Sequence, residues 1–382
     1  MNNKKTVVIQ GLGYVGAAMA VAVASKESKK KESIYNVIGV ELLIEEGLRK
    51  IKAINSGHLP FETNDLLLSS ELKKVVNNGS LLATSDKNIY SYADIIIVSI
   101  NCDLKKGTNK KEIELDQFSK SILEICELMG QDALLIIEST IPPGTCQEII
   151  YPMMKKTFKK RGLNERNILL AHSYERVMPG EDYLYSIINF WRVYSGINKA
   201  SADKCEEFLS SFINTIEYPL TRLKNTISSE TSKLLENSYR AVNIAFIQEW
   251  SDFAEKANID LYEVLDAIRM RPTHSNIRQP GFGVGGYCLT KDPLFAEIAS
   301  TQILNFKNIE FPFSNLAVKI NSRMPLKVLE KLSNHFSSDL AGKKLLMMGA
   351  TYKEGVADTR FSASETFYTN AKKLGIEIDV YD

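Results

Sequence analysis

Short apolar runs, each followed by glycine or polar residues, recur through the N-terminal half of the chain. Residues 6–10 read TVVIQ, and apolar side chains at successive positions indicate a strand that is buried on both faces. Further runs of this kind lie at residues 36–40, 93–100, 133–137 and 167–171. Since an Ala- and Val-rich helical stretch follows the first run, the pattern predicts an α/β fold whose first domain is of the Rossmann type, with a doubly wound sheet.

From residue 227 to about residue 258 the apolar spacing changes to that of one long helix, and Ser228 or Ser229 suits its N-cap. Four polar residues share one face of this helix: Glu230, Lys233, Asn237 and Arg240. A polar face on a long helix is usually solvated, which is the favoured expectation here. The alternative is a helix beside an active site, with its lysine and asparagine directed inward. A helix of this length commonly bridges domains or forms a dimer core.

A second α/β pattern closes the chain. Pro325 begins a helix that runs through Leu332. A strand, a helix and a strand are then predicted at residues 344–348, about 364–374, and 376–381. A single β-α-β unit is short for an independent domain, and it leaves an unpaired strand edge and an uncovered apolar face. We therefore expect this unit to be incomplete, with weaker order from about Lys343 onward.

A glycine-rich loop lies directly between the first predicted strand and the first helix. Residues 11–16 read GLGYVG, a G-x-G-x-x-G pattern in the strand–loop–helix setting that makes it specific. The first glycine makes the turn, the second lets backbone approach a pyrophosphate, and the third lets helix pack on strand, with the phosphates at the helix N-terminus. The residues expected at the cofactor are Gly11, Gly13, Tyr14, Val15 and Gly16. Glu41 ends the second strand, where its carboxylate would bind a ribose 2′-hydroxyl and repel a 2′-phosphate, so NAD is favoured over NADP.

Polar residues follow three of the later strands, at the edge where a doubly wound sheet binds its ligands. Asn101 follows one of these strands, and Thr140 lies in the stretch ESTIPPGT after the next. Hydroxyls there can hold a ligand or a water, although Pro-Pro-Gly is also ordinary turn chemistry. Glu175 lies just past a third strand, where it could serve as a base or pair with Arg176, and spacing alone favours the pair.

One cysteine stands in the most glycine-rich stretch of the chain. Residues 280–293 read PGFGVGGYCLTKDP, so Cys288 follows four glycines and precedes Lys291 and Asp292. Glycines suit a place where a bulky ligand lies against backbone, and nearby positive charge lowers the pKa of a thiol and activates it as a nucleophile. The alternative is a glycine-rich turn with a buried thiol, since most cysteines are small core residues.

Composition excludes several classes of protein. The 382 residues include 47 basic and 46 acidic side chains, which argues against a general nucleic-acid binder or a polybasic membrane anchor. The five cysteines are scattered and form no Cys/His metal pattern. The start lacks a signal-peptide stretch, and no apolar run approaches the ~18 residues of a membrane span. We expect a reduced, cytoplasmic protein that binds no metal, no nucleic acid and no membrane.

The order of these pieces resembles the UDP-glucose/GDP-mannose dehydrogenase family of nucleotide-sugar 6-dehydrogenases over nearly the whole chain. The resemblance rests on GLGYVG at 11–16, ESTIPPGT at 138–145, ERVMPG at 175–180, Glu230 with Lys233 and Asn237, residues 281–292, and Tyr352-Lys353 with Asp358-Thr359-Arg360. Six motifs in the family's order make it specific. It implies an NAD-binding domain at 1–200, a central helical and dimerisation domain with the cysteine loop at 201–324, and a UDP-sugar-binding domain at 325–382.

The resemblance also implies a four-electron oxidation that serves polysaccharide precursor synthesis. The C6 hydroxymethyl of a UDP-sugar, UDP-glucose or a UDP-N-acetylhexosamine, becomes a carboxylate while two NAD are reduced. The catalytic residues carried over are Cys288, Lys233, Asn237, Asp292, Thr140 and Glu175. The cysteine would form a thiohemiacetal and then a thioester, the lysine and asparagine would stabilise an oxyanion, and the threonine and aspartate would hold a water. The glutamate would assist hydrolysis.

Further contacts follow from the same resemblance. The cofactor would also contact Asn101, Thr140 and Arg360. The substrate would contact Glu175, Lys233, Asn237, Phe282, Gly283, Gly285 and Lys353, together with Arg271 from a neighbouring subunit. A homodimer through the central helix is therefore expected.

Three features depart from the family's usual pattern. Tyr174 stands where proline is common before the glutamate, and Asn101-Cys102-Asp103 replaces the Thr-Pro of the glucose enzymes. Together with ERVMPG, this is closer to the branches that act on UDP-N-acetylhexosamines. Relatives usually continue beyond the position of Asp382, so we expect sugar nucleotide to bind poorly and NAD to bind almost normally.

Two rival functions stay open from the sequence. A two-electron β-hydroxyacid dehydrogenase would share the dinucleotide fold and a lysine on the long helix, but it would not need Cys288. A nucleotide-sugar-binding protein with weak catalysis is the non-enzymatic alternative. The joint presence of Cys288, Lys233, Asn237 and Asp292 argues against it.

Overall fold

The computed structural model describes residues 4–30, 32–104, 113–176 and 180–382. Part of the ERVMPG motif, residues 177–179, lies outside the described residues. The chain divides into two compact units. The first unit contains Met1–Lys233 and Ile298–Lys307, and the second contains Leu234–Glu297 and Asn308–Asp382.

The first unit is built on an eight-stranded, almost entirely parallel sheet, and the five predicted apolar runs supply five of its strands. In chain order the strands of this unit are β1 (Lys5–Gln10), β2 (Tyr35–Val40), β3 (Leu81–Thr84), β4 (Ile95–Val98), β5 (Asp103–Leu104), β6 (Ile113–Glu114), β7 (Leu134–Ile137), β8 (Leu169–His172), β9 (Val193–Gly196) and β10 (Thr221–Arg222). Across the large sheet the order is β10-β9-β8-β7-β4-β1-β2-β3, and only the β8–β9 pair is antiparallel among the described strands of this sheet. Strands β5 and β6 form a separate antiparallel ladder.

Strand β1 lies at the centre of this sheet, between β2 and β4. Its side chains Val7, Val8 and Ile9 are completely buried. A central parallel strand is covered on both faces, which is why the strand reads as a continuous apolar run instead of an alternating one. The same reasoning holds for β4 and β7, in which every residue is buried.

Seven helices of the first unit precede the long helix in the described part of the chain. They are α1 (Tyr14–Ala24), α2 (Glu45–Asn55), α3 (Leu66–Asn77), α4 (Asp116–Leu128), α5 (Tyr151–Lys160), α6 (Tyr183–Ile188) and α7 (Lys199–Phe212). Helix α1 is buried from Gly16 to Ala24, because it packs on β2 and is covered by α3 and α6. This enclosure explains its small, apolar sequence and fixes the glycine-rich loop that precedes it.

The long helix α8 spans Thr226–Lys256, close to the predicted bounds. The predicted N-cap is wrong, since both serines lie inside the helix. Asn225 caps it instead: its side-chain Oδ1 accepts the backbone N–H of Ser228 over 2.9 Å. The expectation of a solvated polar face is also wrong, because Glu230, Lys233 and Asn237 are 0%, 8% and 5% exposed.

The second unit carries the predicted β-α-β pattern at its C-terminal end. Its remaining elements are α9 (Leu261–Arg269), α10 (Asp292–Ile298), α11 (Pro312–His335), β11 (Lys344–Met348), α12 (Ala363–Lys373) and β12 (Glu377–Tyr381). Strands β11 and β12 are parallel neighbours. One face of this pair is buried with α11 and α12 in a core that includes Leu329, Met347, Phe367 and Ile378. The side chains of Leu346, Met348, Val380 and Tyr381 are exposed, as expected for a β-α-β unit covered on one face. The lower order expected from Lys343 stays a prediction.

Helix α11 shows that the predicted helix start at Pro325 is wrong. The helix runs without interruption through this residue, although a proline lacks the N–H that an interior position donates. Met324, Pro325 and Leu329 are buried. We attribute the continuity to packing on both sides of the proline, which outweighs one lost hydrogen bond. Among the described residues, no helix is both long and apolar enough to cross a membrane.

Candidate active site

The glycine-rich loop after β1 has the geometry that its motif predicts. Gly11 has a φ of 94°, a conformation that favours glycine. A Cβ on Gly11 would lie 2.7 Å from the Ser99 carbonyl oxygen, and one on Gly16 would lie 1.9 Å from that of Gly11. A Cβ on Gly13 would meet no described atom within 4 Å. The first and third glycines are therefore required by the packing of the protein itself, and the second borders open space.

Glu41 lies at this loop, as predicted from its place at the end of β2. Its Oε1 accepts the backbone N–H of Leu12 over 2.7 Å, and its Oε2 accepts that of Leu42 over 3.2 Å. Lys50 of α2 also donates to Oε1, over 3.2 Å. Glu41 is thus anchored against the loop that would hold a pyrophosphate. Tyr14, at the start of α1, stacks its ring on Phe61 with centroids 4.4 Å apart. These residues fit a dinucleotide cofactor at the N-terminus of α1.

The strand ends that follow carry the other predicted residues of the first unit. Asn101 is exposed and Thr140 is half-buried. Beside Thr140, the Ser139 hydroxyl donates to the Ile100 carbonyl oxygen over 2.5 Å, which joins the ends of β4 and β7. Thr140 therefore stands at the carboxyl edge of the sheet, next to a fixed neighbour.

Glu230 of α8 holds the turn after Thr140. Its Oε2 accepts the backbone N–H of Gly144 over 2.6 Å, and its Oε1 accepts that of Cys146 over 2.9 Å. Burial raises the pKa of Glu230 to about 7, and these two hydrogen bonds oppose the rise. Glu230 therefore fixes the backbone of the turn that follows Thr140.

Lys233 and Glu175 lie together in the first unit. The Lys233 ammonium donates to the backbone oxygen of Glu175 over 2.8 Å and lies 3.9 Å from its carboxylate Oε1. The same ammonium is 5.3 Å from the ring centroid of Tyr174, which is fully buried. The Tyr174 hydroxyl is 2.8 Å from the Ser232 hydroxyl and accepts from Arg176 over 3.1 Å. Tyr174, which stands where proline is common in the family, thus connects the stretch after β8 to α8. Glu175 keeps its place beside Lys233.

A buried polar chain beneath these residues was missed by the sequence reasoning. His172 Nδ1 is 2.7 Å from the Ser229 hydroxyl, which is 2.6 Å from that of Ser195. Burial, with a further contribution from Lys233, lowers the pKa of His172 to about 3, so this ring is neutral at pH 7. A histidine at the end of an apolar strand was the available signal.

A buried ion pair was missed as well. Arg192 donates to Glu138 Oε1 over 2.9 Å, and both residues are buried. Burial raises the pKa of Glu138 to about 7 although Arg192 opposes the rise. Glu138 was read only as part of the ESTIPPGT motif, and its partner lies 54 residues away, so spacing gave no clue to the pair.

In the second unit, Cys288 is exposed, whereas the other four cysteines are buried. The backbone oxygen of Cys288 accepts the N–H of Asp292 over 2.9 Å, at the start of α10. Asp292 is fully buried and accepts from Asn237 over 2.7 Å and from Lys291 over 2.9 Å. The Lys291 ammonium is also 4.2 Å from the ring centroid of Tyr287. The buried-thiol alternative for Cys288 is therefore wrong in this structure.

Arg240, one turn beyond Asn237, is the residue that sequence reasoning left without a role. Burial first, and then the charge of Arg278, lower its pKa, while a Cys288 thiolate opposes this. The Arg240 side chain is half-buried.

The glycines of the cysteine loop have a packing role that the sequence analysis did not predict. A Cβ on Gly283 would lie 2.4 Å from the Ala363 Cβ, and one on Gly285 would lie 2.7 Å from the Tyr352 Cβ. Gly286 has a φ of 81° and would place a Cβ 2.9 Å from the Tyr352 ring. The space beside these glycines is taken by the protein. Their absence of side chains is a packing requirement, and ligand contact at Gly283 and Gly285 stays a prediction.

The remaining predicted residues lie at separate places in the second unit. Phe282 is partly exposed, with its ring 5.4 Å from that of Phe367. Arg271 is exposed just after α9, and Lys353 is half-buried after β11. Arg360 donates to both oxygens of Asp358, over 2.9 and 2.7 Å, so its guanidinium is engaged within its own loop.

The fold and the glycine-rich loop define a dinucleotide-binding protein. Two comparisons of sequence then identify the family. Residues 5–213 match the NAD binding domain of the UDP-glucose/GDP-mannose dehydrogenase family, and residues 227–323 match the central domain of that family. The chain belongs to the UDP-glucose/GDP-mannose dehydrogenase family, and NAD is its cofactor. The predicted class of enzyme, an NAD-dependent nucleotide-sugar dehydrogenase, is confirmed at this level.

Relatives and solved structures agree with this assignment. The chain is 32% identical over 378 residues to UDP-N-acetyl-D-mannosamine dehydrogenase of Methanocaldococcus jannaschii, covering 99% of this chain and 79% of that protein. It is 30% identical to the enzyme of the same name from Pyrococcus horikoshii, covering 98% and 83%. The solved structure of UDP-D-ManNAc dehydrogenase from Pyrococcus horikoshii matches with a TM-score of 0.83 at 28% identity, over 99% of this chain and 83% of that one. A UDP-glucose dehydrogenase from Pyrobaculum islandicum has the same fold, with a TM-score of 0.84 at 18% identity, over 100% and 82%.

Proposed function

We propose that this protein oxidises the C6 hydroxymethyl of a UDP-N-acetylhexosamine to the carboxylate, in two NAD-dependent steps through a covalent bond to Cys288. The overall change is R–CH2OH + H2O + 2 NAD⁺ → R–COO⁻ + 2 NADH + 3 H⁺. NAD supplies the hydride acceptor. The product is of the kind that polysaccharide synthesis uses.

The observation that carries the proposal is the exposure of Cys288 beside an organised polar cluster. Four of the five cysteines are buried, while this exposed one precedes a buried aspartate that accepts hydrogen bonds from Asn237 and Lys291. A two-electron dehydrogenase would have no use for such a thiol. The thiolate would attack the C6 aldehyde to give a thiohemiacetal, oxidation would give a thioester, and water would release the acid and the thiol.

The other roles follow the family resemblance and agree with the contacts of each residue. Lys233 and Asn237 are buried side chains with N–H donors, suited to a developing oxyanion. Glu175 is half-buried with its carboxylate Oε1 3.9 Å from the Lys233 ammonium, and it would serve as the base for thioester hydrolysis. Thr140 and Asp292 would hold the water. Residues 1–200 would bind NAD, and residues 201–324 would supply the cysteine loop. Residues 325–382 would bind UDP, with Lys353 near its phosphates.

The names of the relatives support an N-acetylhexosamine as the sugar. The relatives from Methanocaldococcus jannaschii and Pyrococcus horikoshii, at 32% and 30% identity, are both named UDP-N-acetyl-D-mannosamine dehydrogenase. UDP-N-acetylmannosamine is therefore the first substrate to test.

We also propose a homodimer through α8. Four aromatic residues of this helix are about half exposed: Tyr239, Phe246, Trp250 and Phe253. Their spacing of seven, four and three residues puts them on one helical face. An exposed aromatic stripe of this kind is typical of an association surface. Arg271, which is exposed, would then be available to a neighbouring subunit.

Steady-state NADH production separates the candidate substrates. UDP-N-acetylmannosamine, UDP-N-acetylglucosamine, UDP-glucose and GDP-mannose are compared at equal concentration, with NADH counted per sugar consumed. We expect turnover with a UDP-N-acetylhexosamine and two NADH for each acid formed. One NADH per sugar, with aldehyde as the product, would refute the covalent mechanism. Turnover with GDP-mannose alone would refute the nucleotide assignment.

A further inference from the structure

The loop that carries Cys288 is packed against the loops of the C-terminal β-α-β unit. The Tyr352 ring occupies the space beside Gly286, with its Cε2, Cδ2 and Cζ atoms at 2.9, 3.0 and 3.2 Å from where a Cβ would stand. The Tyr352 Cβ occupies the corresponding space beside Gly285, at 2.7 Å. Gly286 is two residues before the cysteine. One aromatic side chain therefore fits the backbone of both glycines that lead to the thiol.

Neighbouring contacts hold the same two loops together. The Gly286 N–H donates to the Arg360 carbonyl oxygen over 3.3 Å. The ring of Tyr287, adjacent to the cysteine, lies 6.3 Å from that of Phe361 and 5.6 Å from the Arg360 guanidinium. The backbone on both sides of Gly286 is thus defined by residues 352–361 rather than by the cysteine loop alone.

Tyr352 is also the immediate neighbour of Lys353, the residue proposed above for the nucleotide phosphates. A peptide bond connects the aromatic ring that fits the cysteine loop to the proposed phosphate-binding side chain. The Tyr352 N–H donates to the Asp358 carbonyl oxygen over 3.2 Å, which closes the loop that carries both residues. Any shift of Lys353 toward a phosphate therefore acts on a short, closed segment that contains the ring.

We propose that Tyr352 is a positioning residue for Cys288, and that it links nucleoside diphosphate binding at Lys353 to the reactivity of the thiol. The second half of this proposal rests on the proposed function, because it needs a nucleotide near Lys353. The first half concerns the protein alone and requires no ligand.

Alkylation of Cys288 measures this without any sugar oxidation. Because the other four cysteines are buried, iodoacetamide should modify Cys288 selectively in the folded protein, and mass spectrometry of the peptide gives the rate. Without nucleotide, Tyr352→Ala should change the rate at least threefold, since the glycine backbone loses its packing partner. Tyr352→Phe should behave as the parent, because the ring makes the contact. Tyr368→Ala, which removes a tyrosine from α12, is the matched control and should leave the rate unchanged.

UDP tests the linkage. We expect UDP to change the parent's alkylation rate at least threefold, and to change that of Tyr352→Ala by less than 1.5-fold while calorimetry still detects UDP binding. Equal rates for parent and Tyr352→Ala without nucleotide would overturn the positioning role. An undiminished UDP effect in Tyr352→Ala would indicate direct shielding and overturn the linkage. Failure of UDP to bind the parent would refute the linkage and the nucleotide assignment, while the ligand-free comparison still decides the positioning role. If Tyr352→Ala does not fold, Tyr352→Leu gives the same comparison.

Discussion

Asn237 donates its side-chain N–H to Asp292 across 2.7 Å, in a place where Asp292 has no exposed surface. The other carboxylate oxygen accepts from Lys291. One buried carboxylate thus fixes the amide of α8 and a lysine that follows Cys288. The orientation of Asn237 is determined by this bond, because the amide presents its donor to the aspartate.

Removal of Asp292 should destabilise the fold strongly. Asp292→Ala leaves the Lys291 ammonium, 8% exposed in its side chain, without its carboxylate. Breaking a buried pair in this way typically costs about 3–5 kcal/mol. Urea denaturation measures the loss. Asp266→Ala is the matched control, since Asp266 pairs with Arg269 at the surface and its side chain is 74% exposed. We expect a change of about 0.5 kcal/mol or less there, and equal losses for the two variants would contradict the assigned role.

Replacement of the thiol should stop formation of the acid. Cys288→Ser keeps the size of the side chain but weakens its nucleophile, so production of the uronic acid should fall by at least about a thousandfold. NAD affinity, measured by calorimetry, should stay within about twofold of the parent, because the cofactor contacts lie in the glycine-rich loop. Near-normal acid production by the serine variant would rule out a thioester.

Glu41 should control the choice between NAD and NADP. Its carboxylate lies against the glycine-rich loop and would repel a 2′-phosphate. Glu41→Gln should therefore lower the ratio of NADPH to NADH dissociation constants by about tenfold or more, equivalent to ~1.4 kcal/mol. Titration of NADH and NADPH by fluorescence measures both affinities. Glu46→Gln is the matched control. It removes the same charge from a side chain that also pairs with Lys50 but is 66% exposed. Equal effects of the two substitutions would show that only net charge matters.

His172 should make the protein sensitive to acid. Its folded pKa is about 3, below the unfolded value of about 6.5, so the unfolded state binds the proton first as pH falls. The stabilisation by the neutral ring is therefore complete above pH 6.5 and is lost between pH 6.5 and 3, by at most about 1.4 kcal/mol per pH unit. His172→Asn should flatten the pH dependence of the unfolding free energy in this range. His58→Asn, at an exposed histidine, should not.

The aromatic stripe of α8 should govern assembly. Trp250→Glu places a charge in the centre of the proposed interface, and light scattering should then report a monomer where the parent is a dimer. Glu249→Gln, at the adjacent exposed position, should leave the mass unchanged. A parent that is monomeric at micromolar concentration would refute the proposed dimer.

Local patterns predicted the parts of this fold that local patterns determine. Five strands of the first unit (β1, β2, β4, β7 and β8) and the β-α-β of the second unit were found because each strand carries a short apolar run. Strands β3, β5, β6, β9 and β10 were not predicted. Their ends were less certain: the run at residues 93–100 yields only β4, Ile95–Val98, since its last residues leave the ladder toward the ligand edge. Glu41 was located correctly because a strand end and a carboxylate stand next to each other in the sequence.

Features decided by distant contacts were missed or misread. Pro325 was taken as a helix start, although packing carries α11 through it. The packing of the glycines at 283, 285 and 286 was missed, because the residues they pack against, Tyr352 and Ala363, lie more than sixty residues away in the chain. The polar face of α8 was expected to be solvated, because its partners at Gly144 and Asp292 cannot be read from helical spacing.

The two hydrogen bonds of Glu230 have a consequence for the order of events in folding. They connect backbone N–H groups at Gly144 and Cys146 to a carboxylate 86 and 84 residues further along the chain. Contacts of such long range close late, because the chain entropy of the intervening loop must be lost first. Once formed, they are shielded from water at a fully buried group. The amides of Gly144 and Cys146 should therefore exchange with deuterium only when the start of α8 separates from the turn after β7, which makes these two protons direct reporters of that opening.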